Sequence, residues 1–278
     1  MKCNYHTHCT YCDGKEEMGR FVAKAAELGY AHLGFSSHAP VQGRAFGILE
    51  ERIPDYINEI ESYRTKYPTL QLHAALECDF VPGISKPFEY FSQKYHLDYV
   101  IGGIHLVGNS KQQDLWFIDG GDRSVYDNGL RLFYDGNVKR AVTAFWEQTF
   151  EMIETQQLDV VAHLDKIKMH NQNRYFTEDE KWYRDLAIHA LDLVKQKNLI
   201  LEINSRGLYK GRCDSFYPAD FLLNEASRRQ IPFIISSDAH RAEELPLFYE
   251  EAKRHLWQAG IRELVFFQNG HWSEYQDF

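Results

Sequence analysis

The sequence has no long apolar run and no export signal. No stretch of apolar residues approaches the roughly 20 that a membrane-spanning helix needs, and the opening segment, MKCNYH, is not a basic region followed by an apolar one. We therefore expect a cytoplasmic protein that does not associate with membranes.

The sequence also lacks the cysteine pattern of a disulfide-stabilised protein. Its five cysteines form no set of paired spacings: Cys3, Cys9, Cys12, Cys78 and Cys213. Reduced thiols are therefore expected. Cys9 and Cys12 have the spacing of a redox pair or of half a zinc site, but no second CxxC is present, so we favour packing roles for both.

Positive charge is in deficit. Aspartate and glutamate number 40 against 31 lysines and arginines, which gives a net charge of −9 and argues against a protein that binds nucleic acid through a broad basic surface. Histidine, by contrast, is abundant, with 13 residues. The positions of these histidines are the most informative feature of the sequence.

Helical and strand patterns alternate along the chain. The predicted helices cover residues 16–28, 50–66, 87–95, 138–156, 178–197, 218–230 and 242–258. The predicted strands cover residues 2–6, 31–37, 70–78, 98–106, 158–164, 199–204, 232–238 and 263–269. Seven or eight parallel βα units favour a closed α/β barrel, and no linker divides the chain, so we expect one domain over residues 1–278. Residues 107–136 are predicted to form a long, ordered loop.

Metal-binding residue types recur where the predicted strands end. They are His6, His8, His38, Glu77, His105, His163, Asp238 and His240. Because the carboxyl ends of barrel strands meet on one face, these side chains should converge there. The set exceeds the four ligands of one structural zinc site, and imidazole with carboxylate suits zinc, iron, manganese or cobalt, so the pattern predicts more than one metal.

Spacing along the extended segments separates further candidate metal ligands from core residues. His6 and His8, two residues apart on an extended segment, point to the same side, and Asp13 could reach the same end of the barrel. His73 lies on the same predicted strand as Glu77, but four residues of strand displace it by about 13 Å toward the opposite end. We expect His73 to be a core residue.

Seven short motifs together resemble a known family. "HTHCTYCDG", "SSHAP", "LECDF", "GGIH", "AHLDKIK", "EINSRGL" and "SSDAH" occur in this order and resemble the polymerase and histidinol phosphatase (PHP) family, most closely its histidinol-phosphate phosphatases. The resemblance implies a distorted, TIM-like (β/α)7 barrel with three divalent metal ions (Zn, Fe or Mn). It also implies hydrolysis of the small phosphomonoester L-histidinol phosphate to L-histidinol and phosphate, a step of histidine biosynthesis.

The resemblance further implies which residues bind each metal. The first metal would be held by His6, His8, Glu77 and Asp238, the second by Glu77, His105 and His163, and the third by Asp13, His38 and His240. Glu77, Asp238 and His240 are the expected catalytic residues. The sequence departs from the family pattern at two positions. In "SSHAP" the residue before the histidine is serine, where many relatives have aspartate, and Asp13 stands where some relatives have histidine.

The expected reaction needs no protein nucleophile, because a hydroxide that bridges the metals would attack phosphorus. Neither a GxSxG elbow nor a Walker-type loop is present. Arg206 and Lys168 are candidate phosphate ligands. Asp114, Trp116 and Asp119 are candidates for contacts with the leaving group.

Two other functions stay open at this stage. The chain could be a PHP phosphoesterase that acts on another small phosphomonoester, such as a nucleotide. It could also be a non-catalytic metal-binding PHP module, although the complete ligand set argues against this. The oligomeric state, monomer or homodimer, is also open.

Overall fold

The structure, a computed structural model, describes residues 1–108, 111 and 115–276. Its strands are β1 (Cys3–Asn4), β2 (His32–Phe35), β3 (Gln71–Asp79), β4 (Tyr99–Gly103), β5 (Leu106–Val107), β6 (Trp116–Phe117), β7 (Val160–Val161), β8 (Ile200–Asn204), β9 (Phe233–Ser236), β10 (Leu264–Gln268) and β11 (His271–Tyr275). Its α-helices are α1 (Met18–Glu27), α2 (Ile53–Lys66), α3 (Phe88–Tyr95), α4 (Arg123–Tyr134), α5 (Val138–Thr155), α6 (Lys181–Gln196), α7 (Arg206–Tyr209), α8 (Asp220–Arg228) and α9 (Tyr249–Gln258).

Seven of the strands form one parallel sheet, in the order β1-β2-β3-β4-β7-β8-β9. Beyond β1 and β9 the chain closes the sheet on itself, since Thr7 and Ala239 form a parallel bridge and His8 N donates to Ala239 O at 2.8 Å. Helices alternate with these strands. This arrangement confirms the predicted α/β fold, a TIM-like (β/α)7 barrel.

Helix α1 illustrates how local sequence forms these units. Its apolar residues recur at the spacing of one helical face, so Phe21, Val22 and Ala25 are buried in the core. The helix stops as the sequence predicts, because Gly29 adopts a left-handed φ of 69° and Tyr30 N then donates to Ala25 O at 2.9 Å.

The prediction of a barrel strand over residues 263–269 was wrong in its pairing. Strand β10 pairs antiparallel with β11 in a separate hairpin, and its Phe267 packs with Tyr5 and Tyr99 in a hydrophobic cluster. The physical reason is the two-residue turn of Asn269 and Gly270, whose φ values of 53° and 81° suit a tight hairpin. The sheet therefore has seven strands rather than eight.

The prediction of a loop over residues 107–136 was also wrong in part. This segment contains β6 and the twelve-residue helix α4. The helix begins where the Asp122 side chain accepts a hydrogen bond from Ser124 N at 2.8 Å. Its end coincides with the left-handed residues Asp135 and Gly136.

Three further expectations bear on the whole chain. Among the described residues, no helix is long and apolar enough to cross a membrane. All five cysteines are free thiols. The single domain over residues 1–278 stays a prediction.

Candidate active site

The candidate ligands lie at one end of the barrel, at or just beyond the carboxyl ends of its strands. In chain order these residues are His6 and His8 after β1, His38 after β2, Glu77 in β3, His105 after β4, His163 after β7, and Asp238 and His240 after β9. All of them are buried. His163 and Asp238 have left-handed backbones, with φ of 26° and 51°, a strained conformation that non-glycine residues adopt mostly at functional sites.

The segment after β1 presents two histidines to the same point. It is held between its neighbours, since Ser36 N donates to Thr7 O at 2.9 Å and His8 N donates to Ala239 O at 2.8 Å. On this extended backbone His6 and His8 project to one side. Their Nε2 atoms lie 3.0 Å apart.

Glu77 lies at the centre of the cluster. Its Oε1 is 2.9 Å from His163 Nε2 and 3.5 Å from His105 Nε2. Its Oε2 is 3.0 Å from His38 Nδ1 and 3.2 Å from His6 Nε2. Burial opposes ionisation, but the surrounding imidazoles, with His6 foremost, outweigh it and hold the pKa of Glu77 well below its ordinary value.

These side chains form three overlapping groups that could each hold a metal ion. The groups are His6, His8 and Asp238; His38, Glu77 and His105; and His8, Asp13, His38 and His240. Within each group the ligand atoms lie within 4.8 Å of one another. Ligands that are each about 2.0–2.2 Å from one tetrahedral zinc ion lie about 3.3 Å apart, which matches the shorter separations in the cluster.

Hydrogen-bond geometry also fits a metal better than direct pairing. Glu77 Oε2 and His38 Nδ1 are only 3.0 Å apart, yet neither atom has a hydrogen-bond partner among the described residues. Their close approach is therefore not explained by a hydrogen bond between them. A cation placed between them would satisfy both atoms.

Asp13 forms the outer edge of the cluster. Its Oδ1 lies 3.2 Å from His240 Nε2 and 3.8 Å from His38 Nε2, and its side chain is 35% exposed. His38 therefore faces Glu77 with Nδ1 and Asp13 with Nε2, so it could join either of two groups. Burial opposes ionisation of Asp13, but His240 and His38 lower its pKa.

Glu202 supports the cluster from outside and was not singled out in the sequence. It is fully buried in β8, and its Oε2 lies 2.8 Å from His6 Nδ1. Its Oε1 accepts hydrogen bonds from His163 N at 2.8 Å and from Asn204 Nδ2 at 2.7 Å. Because a carboxylate can only accept, His6 donates from Nδ1 and presents Nε2 to the cluster.

Cys9 and Cys12, the CxxC pair near the start of the chain, have different surroundings. Cys12 Sγ lies 3.5 Å from Nδ1 of His8, whereas Cys9 Sγ lies 3.7 Å from Ser37 Oγ. In the part of the chain that the structure describes, no group suited to a metal includes a cysteine. Cys12 therefore adjoins a candidate ligand, and Cys9 packs in the core.

A cavity of about 320 Å³ opens above the cluster. Its described lining includes the candidate ligands Asp13, His38, His105 and His240 and the cations Lys15, Arg206 and Arg212. Larger depressions of about 570 and 650 Å³ lie elsewhere and contain none of the candidate ligands. The chemistry of the lining, not the size of the space, therefore identifies the site.

The structure brings only some of the predicted substrate-binding residues to this cavity. Arg206 lines it, with Nη1 donating to Asp238 O at 2.8 Å, and Asp119 lines it as well. Lys168 is instead buried in an ion pair with Asp165 at 3.0 Å and is not part of the described lining. Trp116 lies in the core with its Nε1 donating to a backbone carbonyl. Asp114 lies outside the described residues.

Two further residues near the cluster were missed in the sequence. Lys166, two positions before the predicted Lys168, is buried with Nζ 3.2 Å from Asp119 Oδ2. Asp79, two positions after Glu77, accepts a hydrogen bond from the backbone N of His105 at 2.9 Å, and burial raises its pKa to about 7. The period of two along β3 is the signal that could have identified Asp79.

Comparisons with known proteins identify similar sequences and folds. A protein of Deinococcus radiodurans named probable histidinol-phosphatase is 28% identical over 273 residues, which cover 95% of this chain and 96% of that protein. A crystal structure from Listeria monocytogenes, of a protein with a provisional histidinol phosphatase name, has a TM-score of 0.80 at 23% identity and covers 90% of this chain and 99% of that one.

A second crystal structure has a similar fold. Histidinol phosphate phosphatase of Lactococcus lactis subsp. lactis, complexed with Zn, L-histidinol and phosphate, has a TM-score of 0.70 at 19% identity over 98% of both chains. A model of the PHP domain matches residues 4–206, which is most of the chain. The chain therefore belongs to the PHP domain family.

Proposed function

We propose that this protein is a metal-dependent phosphatase that hydrolyses L-histidinol phosphate to L-histidinol and phosphate, as a step of histidine biosynthesis. The observation that carries the proposal is the convergence of three overlapping groups of metal-ligand side chains beneath a cavity that Arg206 also lines. Support comes from the named Deinococcus relative, matched over nearly its full length, and from the zinc, histidinol and phosphate in the Lactococcus structure.

The ligand set suits up to three divalent ions, such as zinc. His6, His8, Glu77 and Asp238 would hold one ion, and Glu77, His105 and His163 would hold a second. Asp13, His38 and His240 would hold the third. When bound, such ions lower the pKa of water toward 7 and offset the negative charge of a phosphoryl group.

The protein's own cations would orient the phosphate. Arg206 has five N–H donors in a planar fork, and bonds from Nη1 to Asp238 O and to the Tyr209 hydroxyl, at 2.8 and 3.2 Å, fix the position of this fork at the cavity wall. The remaining donors can bind two phosphate oxygens at once, as arginine commonly does. Asp238 would therefore hold the metal with its carboxylate and, with its backbone carbonyl, hold the arginine that binds the phosphate.

The test is a comparison of kcat/KM for histidinol phosphate and for a panel of small phosphomonoesters that includes nucleotides, with protein of measured metal content. We expect the highest kcat/KM with histidinol phosphate. A preference for a nucleotide would identify a different PHP phosphoesterase, and metal-loaded protein without turnover on any ester would identify a non-catalytic module. Glu77→Gln serves as the negative control, since a neutral amide bridges two cations poorly.

A further inference from the structure

The cavity above the candidate metal groups has one apolar wall. Phe46 and Phe117 are the only large apolar side chains among its described lining residues, and the rest are charged residues, histidines or glycine. The two rings are nearly parallel, at 7°, with centroids 6.2 Å apart. Both side chains are only partly buried, so the wall faces the space that a substrate would enter.

Phe117 is held in place by the strand pair that follows a candidate ligand. In the antiparallel register of β5 and β6, Phe117 lies opposite Leu106, the residue after His105. Ile118 N also donates to His105 O at 3.0 Å. Behind this pair lies a small buried cluster made of Val41, Val81, Leu106 and Leu115. The position of Phe117 is therefore fixed relative to His105.

Phe46 is tied to another candidate ligand. Its ring meets the His38 ring edge to face, with centroids 5.1 Å apart at 79°. The loop turns back onto the segment that follows β2, since Ile48 N donates to His38 O at 2.8 Å. Gly47 permits this return, because an added Cβ would lie 2.4 Å from Ala39 O. The aromatic wall is thus attached to both His38 and His105, within reach of an ester whose phosphate lies on the cluster.

We propose that Phe46 and Phe117 form the binding site for the planar ring of the leaving group, which is imidazole in histidinol phosphate. The inference rests on the proposed function and identifies the part of that site that selects the alcohol. With the phosphate at the metals and Arg206, the short carbon chain of histidinol brings its ring to the neighbouring wall. Aromatic faces favour a planar ring over a hydrated aliphatic group.

The experiment compares three esters that share the same amino-alcohol phosphate. Histidinol phosphate carries imidazole, phenylalaninol phosphate carries a ring without nitrogen, and alaninol phosphate carries no ring. Wild-type protein should hydrolyse both ring-bearing esters with a kcat/KM at least tenfold above that for alaninol phosphate. In Phe117→Leu and in Phe46→Leu, each ring-to-alaninol ratio should fall by about tenfold, because leucine keeps apolar volume but removes the flat face.

Phe266→Leu is the matched control, since Phe266 is a partly buried phenylalanine of β10, outside the cavity. Its ratios should equal those of the wild type. Metal content and thermal unfolding of each variant show whether the site and fold are intact. Unchanged ratios in both cavity variants, or wild-type protein that hydrolyses alaninol phosphate as well as the ring-bearing esters, would overturn the ring site while leaving the phosphatase. Wild-type protein inactive on all three esters would refute the proposed function itself, and the ring site with it.

Discussion

Replacing Glu202 with glutamine should weaken metal binding by moving the proton of His6 to its other nitrogen. The carboxylate accepts hydrogen bonds from four donors. Oε1 accepts from His163 N at 2.8 Å and from Asn204 Nδ2 at 2.7 Å, while Oε2 accepts from His6 Nδ1 at 2.8 Å and from the Ser236 hydroxyl. Glutamine offers one acceptor oxygen and one NH2 group, so one pair of donors must lose its acceptor.

The chemistry of the donors decides which pair this is. The backbone N–H of His163 can only donate, and Asn204 is held in its orientation because its Oδ1 accepts from Arg206 N at 2.9 Å. The Ser236 hydroxyl can rotate, and His6 can change tautomer. The glutamine oxygen should therefore face the first pair and its NH2 group the second. His6 must then accept at Nδ1 and carry its proton on Nε2, where it cannot bind a metal.

The size of the expected loss in metal affinity follows from the burial of the site. To bind a metal through Nε2, the variant must return His6 to the original tautomer and leave buried donors facing each other. An unsatisfied buried donor costs about 1–3 kcal/mol, which corresponds to roughly 5- to 150-fold weaker metal binding. Competition with a chelator of known affinity measures this loss. NMR of the nitrogen-15-labelled His6 ring in zinc-loaded protein shows which ring nitrogen carries the proton, independently of activity.

Ser236→Ala is the matched control, because it removes a donor to the same Oε2 but leaves the carboxylate and the His6 hydrogen bond in place. Its metal affinity should stay close to that of the wild type. A Glu202→Gln protein that binds zinc as tightly as the wild type, with the proton of His6 still on Nδ1, would refute this account of the carboxylate.

Three further predictions concern residues at different depths of the barrel. Burial and the neighbouring His32 lower the pKa of His73 from 6.5 to about 3. Below pH 6.5 the unfolded chain therefore takes up a proton at His73 that the folded chain does not. As a result, the free energy of unfolding falls as the pH drops from 6.5 toward 3. This residue alone should make the protein about 1.4 kcal/mol less stable at pH 5.5 than at pH 7.5, and His73→Gln should flatten that dependence in urea unfolding. Lys168→Met leaves the buried Asp165 carboxylate without its ion-pair partner at 3.0 Å. Unfolding measurements should show a loss of about 3–5 kcal/mol of stability, and steady-state kinetics should show no change in KM. Arg206→Ala should raise KM for the phosphoester without loss of metal content, and wild-type kinetics in that variant would remove Arg206 from the phosphate site.

The parts of the fold that follow from periodicity could be predicted from the sequence. Parallel strands between helices show as short apolar runs between amphipathic segments. Six of the seven barrel strands lie within the predicted ranges, and β3 extends one residue past its range, to Asp79. Strand β10 has the same local pattern, but its partner is set by the Asn269 and Gly270 turn and not by its own residues. Helix α4 was missed because its flanks are rich in glycine and aspartate, which are typical of loops.

In the site, residue type and strand position together predicted that the candidate ligands converge at one end of the barrel, but not their supporting partners. Glu202 and Asn204 are two residues apart in β8, the same spacing as His6 and His8, so their shared direction could have been found by the same argument. Lys166 and Lys168 could not have been separated in this way. They lie on one short helical turn, and only the three-dimensional structure shows Lys166 next to Asp119 and Lys168 next to Asp165.

Depth along a strand, more than residue type, separates structural histidines from candidate ligands in this barrel. Strand β3 carries both His73 and Glu77, on the same side but at opposite ends. Burial opposes a positive charge at either end, yet Glu202 and Glu77 raise the pKa of His6 to about 10. At the other end, His73 lies 3.0 Å from His32, and with no carboxylate among the groups that shift its pKa, it stays neutral to about pH 3. An imidazole held among carboxylates, as His6 is, lies in an environment that favours a cation, whether proton or metal. Burial dominates at His105 and His240 of the same cluster and lowers the pKa of both, so these two imidazoles stay neutral, the form that binds a metal.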